Sequence, residues 1–171
     1  MRPLGDVGSM LELGNKTGRR GRSYKRHFEA LGIRHVSVDL NGKDGALPLD
    51  LRKPLGLGRF DVVTNIGTTE HVTDQEPAWR NIAEATGRLF LSMTPKPGSY
   101  KGHGLFYPTP AFYWAFALQN GFQIERLYED GRPGRRVLMV RMVRVRECDS
   151  TMPNPSLLFC EGDSDPYTRP T

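Results

Sequence analysis

The chain has 171 residues, 37% of them hydrophobic, and a mean hydropathy of −0.50, which suits one soluble domain with a sizeable core. No run approaches the ~18 uninterrupted apolar residues of a membrane span, and the opening MRPLGDVGSM lacks the apolar centre of a signal peptide, so a cytoplasmic protein is the default expectation. The net charge of +5 and pI of about 9.4 permit binding to polyanions without demanding it.

The two cysteines, Cys148 and Cys160, form no CxxC pair and suggest neither a disulfide framework nor a zinc site. The four histidines, His27, His35, His71 and His103, are scattered rather than set at metal-ligand spacing, so no metal is expected. The densest basic run, RRGRSYKR (Arg19 to Arg26), reads as a solvated helix face.

In chain order, SMLEL (9–13) reads as a short buried strand. A helix is predicted over 19–32, with Tyr24, Phe28 and Leu31 at helical spacing and Gly32 as its stop. RHVSVDL (34–40) alternates as a strand does, NGKDG is a turn, and ALPLDL (46–51) is a short extended piece. RFDVVTNIG (59–67) is a near-continuous apolar run of the kind found in buried parallel strands. A helix follows over 74–86, with Trp79, Ile82 and Ala83 on one face and capping-box spacing between Thr73 and Glu76. GRLFLSMTP (87–95) is a strand, and KPGSYKGHG (96–104) is a loop. The helix over 109–121 has Thr109 as N-cap, Pro110 at its first position and Gly121 just past its end. FQIERLYE and RRVLMVRMVRV then form an antiparallel pair around the turn DGRPG.

Strands alternating with helices imply an α/β sheet with parallel pairing and right-handed crossovers, closed by an antiparallel hairpin. Between Asp39 and Leu47, and again between Asp50 and Phe60, there is little room for a crossover helix. The domain is expected to span 1–147. Residues 148–171, rich in Pro, Ser, Asp and Thr, are expected to form an extended or flexible tail.

In open α/β sheets, ligands bind outside the carboxyl ends of the strands where the strand order reverses. LELGNKTG (11–18) stands at such an end. Gly14 lets the backbone turn sharply and approach a ligand, and Gly18 does the same at the helix start. Asp39 ends the second strand, where it either accepts from both ribose hydroxyls of a nucleoside or caps the turn before NG. Asp50 and the backbone of Leu51 either meet an adenine edge or belong to a simple loop. The glycines match neither a dinucleotide G-x-G-x-x-G nor a Walker A pattern.

The series ELGNKTG, helix, VSVDLNG, LPLDL, FDVVTNIGTTEHV resembles the class I S-adenosylmethionine-dependent methyltransferases. Their first motif is an acidic residue followed by alternate glycines, matched here by Glu12, Gly14 and Gly18, with Lys16 where many members carry the middle glycine. NIGTTEHV followed by HGLFYPTP is similar to a subgroup of small methyltransferases. The resemblance covers about residues 10–130. It implies a Rossmann-like, doubly wound sheet of about seven strands, mostly parallel, with an antiparallel C-terminal hairpin. It implies S-adenosyl-L-methionine as cofactor, held by Glu12, Gly14, Asn15, Gly18, Asp39, Leu40, Asp50, Leu51 and Asn65; Glu12 has a plainer reading as a buried strand-end carboxylate that keeps the glycine loop in shape.

Methyl transfer from a sulfonium needs little beyond near-attack geometry and, for a hydroxyl acceptor, removal of a proton. A neutral histidine suits that task, so His103 and His71 are the candidate bases, with Glu70 and Tyr107 at the acceptor. Each has a plainer reading: Glu70 and His71 at a helix entry, His103 as an exposed loop residue, and Tyr107 with the other aromatics of 106–116 in the core. The expected acceptor is a small molecule or glycan. A binding or scaffold protein without activity is one alternative. An RNA methyltransferase is another, favoured by charge but lacking both the lysine–aspartate–lysine–glutamate set and an N-P-P-[YF] motif.

Overall fold

The structure is a computed structural model that describes residues 7–17 and 24–160; Gly18 and the run Arg19 to Ser23 lie outside the described residues. Six strands form one sheet: β1 (Ser9–Leu13), β2 (Arg34–Val38), β3 (Phe60–Ile66), β4 (Thr86–Pro95), β6 (Phe122–Arg132) and β7 (Arg135–Arg144). Their order is β2-β1-β3-β4-β7-β6. β1 pairs in parallel with both β2 and β3, β3 with β4, and the C-terminal hairpin β6–β7 joins β4 antiparallel. The order reverses between β1 and β3, which places a crevice at their carboxyl ends.

The seventh strand is reduced to one bridge. Leu47 sits beside Val38 on the outer side of β2 and exchanges two bonds there, Leu47 N to Ser37 O (2.8 Å) and Asp39 N to Leu47 O (3.0 Å). Pro48 then has no N–H to continue a ladder, and Leu49 N turns back to Leu47 O (2.8 Å). As the spacing required, the connection from β2 to β3 carries no α-helix, only a 3-10 turn at Lys43–Gly45.

Alternate residues of the strands face opposite sides of the sheet. Leu11, Leu13, Val63, Phe90, Leu138 and Met142 build the main core with α2 (Gln75–Ala85) and α3 (Pro110–Gln119). Trp79, Ile82 and Ala83 are buried as expected, and the Trp79 ring meets Phe112 at 4.7 Å and Phe116 at 5.2 Å between centroids. α2 starts without the expected capping box: its N-cap is Asp74, and Glu76 pairs with Arg80 instead. On the opposite face, Met10, Val62 and Leu89 pack with Phe28 of α1 (Lys25–Ala30). That helix is shorter in its described part than the 19–32 expected. Tyr24 and Leu31 are exposed, so of the anticipated stripe only Phe28 reaches the sheet. No helix among the described residues is long and apolar enough to cross a membrane.

α3 has the caps that were anticipated. Thr109 Oγ1 accepts from Phe112 N (3.1 Å), and Gly121 takes a φ of +70° beyond the C-cap Asn120. Both caps also hold the segment that was expected to be a free tail. Thr109 Oγ1 donates to Leu157 O (2.7 Å). Buried Asn120 exchanges two bonds with the backbone of Thr151 (2.8 and 2.9 Å). Leu158 is buried, Met152 and Leu157 pack on the main core, and β8 (Leu158–Cys160) pairs antiparallel with β5 (Phe106–Pro108). The polar composition of this stretch thus hides a strap across α3 at residues 151–160, because a few apolar residues and two caps are enough to seat an otherwise polar chain.

A chain ending at Ser150 is therefore expected to melt lower. Burial of one leucine is worth roughly 1.5–3 kcal/mol, and at this size each kcal/mol moves the midpoint by about 2–4 °C. Scanning calorimetry should show a drop of at least several degrees; an unchanged midpoint contradicts the strap.

Candidate functional site

A cleft of about 400 Å³ opens at the carboxyl ends of β1 and β3, within the range of small-molecule sites. Gly14, Lys16, Asp39, Leu40, Asp50, Leu51, Gly67, Thr68 and His71 are among its lining. Five of the residues anticipated for a nucleoside cofactor are thus together: Gly14, Asp39, Leu40, Asp50 and Leu51.

Gly14 sits at φ +75°, and a Cβ there would lie 2.5 Å from Thr68 Oγ1. Its N–H donates to Val38 O (2.8 Å), and Thr68 Oγ1 donates to Leu13 O (2.7 Å). The ends of the first three strands in the sheet are therefore locked into one rim. The Asp39 carboxylate accepts from Asn15 N (3.1 Å) and Asn41 N (3.0 Å). It caps its turn and faces the cleft, so the two readings of Asp39 coexist. Each oxygen keeps a lone pair for a further donor. Asp50 is gripped by Arg52 through Nε (3.0 Å), Nη2 (2.8 Å) and backbone N (2.9 Å). Those bonds hold its carboxyl down at about 2.

Three anticipated cofactor residues do not line the cleft; they support it. Glu12 is buried, with Oε2 3.3 Å from His35 Nε2 beneath the rim, and the His35 ring stacks on Phe28. Asn15 contributes its backbone N–H to Asp39 and ties its side chain to Lys43 O (2.9 Å). Asn65 is fully buried; its amide donates to Thr69 Oγ1 (2.8 Å) and accepts from Thr69 N (3.1 Å), bracing the turn after β3. Gly18 falls outside the described residues.

That turn, Thr69–His71, carries Glu70 and His71. Loop residues 102–105 close over it: Leu105 N donates to Glu70 O (2.7 Å), and a Cβ on Gly104 would lie 3.0 Å from the Glu70 side chain. His103 is thereby brought within 3.8 Å of Glu70 Oε1, and the two imidazoles meet edge to face at 4.8 Å. Tyr107 is buried rather than a pocket wall. Its hydroxyl accepts from Gly104 N (2.7 Å) and donates to Gly104 O (3.2 Å), which fixes the loop. Burial pushes the Glu70 carboxyl above its usual range, against the pull of its own backbone N–H, Lys16 and His103. Burial and the neighbouring His103 and Lys16 push His71 down, so its imidazole is neutral near pH 7.

Two contributors were not anticipated from the sequence. Thr68 is the contact that makes Gly14 obligatory, and only the T-T pair before Glu70 hinted at it. Lys16 reaches across the cleft to Gly67 O (2.7 Å), joining the loops after β1 and β3 where a glycine at 16 would leave open space.

By sequence, the chain matches no protein-family model and no curated protein. By structure it is similar to 1,6-didemethyltoxoflavin-N1-methyltransferase of Burkholderia thailandensis, solved with 1,6-didemethyltoxoflavin and S-adenosylhomocysteine. That likeness has a TM-score of 0.62 at 16% identity, over 84% of this chain and 73% of the other. An S-adenosylmethionine-dependent methyltransferase of Mesorhizobium loti gives 0.61 at 18%, over 82% and 94%. The [4+2]-cyclase SpnF gives 0.60 at 10%, over 82% and 76%. Likeness at such identities establishes the fold.

The rim yields a paired test. Gly32 has a φ of +78° with nothing within 4 Å of the place a Cβ would take, against 2.5 Å at Gly14. Gly32→Ala should lose only the left-handed penalty of about 1–2 kcal/mol, and Gly14→Ala clearly more. Equal losses in urea unfolding contradict the clamp.

Proposed function

We propose that this chain, which has the fold of the class I S-adenosylmethionine-dependent methyltransferases, is itself such an enzyme and methylates a small molecule or glycan-type acceptor with histidine-assisted deprotonation. The observation that carries the reading is the cleft at the switch point. Two carboxylates, Asp39 and Asp50, line it together with the glycine rim at Gly14 and Gly67 and with Leu51.

These residues suit the cofactor. Asp39 has acceptor capacity for the ribose hydroxyls, and Asp50 and the Leu51 backbone stand ready for the adenine edge. Gly14 leaves the rim bare for close approach, and Lys16 offers a cation to the carboxylate of the aminoacyl end. Bound there, the cofactor supplies a methyl group on a sulfonium that departs as a neutral thioether when the acceptor attacks. His71 reaches both this cleft and the adjoining hollow lined by Gly102, His103, Gly104 and Leu105, so the acceptor belongs on the histidine side. An acceptor hydroxyl there passes its proton to an imidazole, His103 by the preferred assignment, as its oxygen forms the new bond to carbon. Glu70, behind His103, stabilises the imidazolium that results. The small-molecule ligand of the Burkholderia enzyme supports an acceptor of that size.

One observation favours a second reading. The ammonium of Lys16 lies across the cleft floor and opposes a cationic sulfonium, as in a protein that keeps the fold and binds without transferring. The cyclase likeness is consistent with such divergence.

Calorimetry with S-adenosylmethionine and S-adenosylhomocysteine separates these readings from no binding at all. Asp39→Ala should weaken either ligand by roughly 1.5–3 kcal/mol, the worth of hydrogen bonds to a charged group. With an acceptor in hand, His103→Ala should lower turnover by about 10²–10⁴ and leave cofactor affinity nearly unchanged. Absence of heat with both ligands overturns the proposal; full turnover in both histidine variants removes the deprotonation step.

A further inference from the structure

Glu70 is the polar group that the fold explains least. Its side chain is fully buried, and neither carboxylate oxygen has a hydrogen-bond partner among the described residues. Buried carboxylates are ordinarily paired, hydrogen-bonded or bound to a metal, because an isolated one is costly. His103 Nε2 stands 3.8 Å away, beyond hydrogen-bond reach, and the nearby Lys16 ammonium donates to Gly67 O rather than to Glu70.

The surroundings are built to keep it there. Asn65 braces the turn that carries Glu70 and His71, and Tyr107 and Gly104 bring the His103 loop down on it. One donor atom from each of Glu70, His71 and His103 lies within 4.8 Å of the others. The carboxylate is at the bottom, and the two imidazoles are exposed to the hollow above.

We propose that Glu70, His71 and His103 form a binding site for a divalent first-row transition-metal ion, with open coordination positions toward the hollow. Two imidazoles and one carboxylate suit zinc, cobalt, manganese or iron(II); calcium and magnesium prefer all-oxygen sets. Exposed imidazoles have the freedom to close on an ion, while the buried carboxylate and its braced turn give a fixed anchor. Metal binding stands on these three side chains alone, and only its consequence rests on the proposed methyl transfer. A hydroxyl ligated at an open position releases its proton to water at lower pH. The histidines then assist deprotonation through the ion instead of taking the proton themselves.

Cobalt(II) is the probe, titrated into the untagged full-length chain and followed by its visible d–d absorption. One saturable equivalent is expected. His103→Ala, on an exposed loop, and Glu70→Gln should each weaken cobalt binding at least tenfold. His103→Ala should keep its melting midpoint and its affinity for S-adenosylhomocysteine. No saturable cobalt band in the wild type, or equal affinity in His103→Ala, overturns the site. Cobalt binding without any S-adenosylhomocysteine binding upholds the metal site and sinks the methyltransferase reading alone.

Discussion

The cleft depends on one constraint: there is no room for a side chain at residue 14. Thr68 Oγ1 stands 2.5 Å from the place of a Cβ and is held there by Leu13 O, while the Gly14 N–H reaches Val38 O. Three strand ends are fastened at a single point, and the residues just beyond them inherit their positions from it. Asp39 is the next residue after Val38 and takes the Asn15 N–H; Lys16 crosses to Gly67. A bare backbone at a strand end is what lets a ligand approach closely, so the same absence of atoms shapes the rim and opens it.

A rim made of glycines has no side chains with which to hold itself. The holding is done from below by buried polar groups. Asn65 fixes the turn after β3, the Glu12–His35 pair lies between β1 and β2, and Asn81 accepts from Leu55 N and donates to Leu51 O from α2. The two asparagines tie backbone that would otherwise be free to drift. Glu70 stands apart because both of its carboxylate oxygens lack a hydrogen-bond partner among the described residues, and that marks it as a residue with another use.

Much of this was legible in the sequence. The strands at 9–13 and 60–66, the capped helix at 110–119 and the closing hairpin follow from local pattern, since each is a run whose periodicity and turn residues agree. The five cleft residues were legible for a topological reason: carboxyl ends of parallel strands meet wherever the order reverses. What escaped were relations between particular residues. No local signal pairs Glu12 with His35 or sets Asn65 against Thr69 rather than a ligand. The strap at 151–158 escaped because its seat is made by the two caps of α3, which belong to another part of the chain. The short extended piece at 46–51 reduces to a single bridge because Pro48, just after Leu47, has no N–H with which to extend it.

If the rim of β1, β2 and β3 is an adenosyl-ligand site, its residues must respond to such a ligand together. Backbone amide NMR of the labelled chain, titrated with S-adenosylhomocysteine, tests this residue by residue. The amides of Gly14, Asn15, Asp39, Leu40, Leu51 and Gly67 are expected to shift together with one dissociation constant, while those of Trp114 and Leu118 on the exposed side of α3 stay fixed. A spectrum that does not change at saturating ligand, or shifts confined to residues away from the rim, contradicts it.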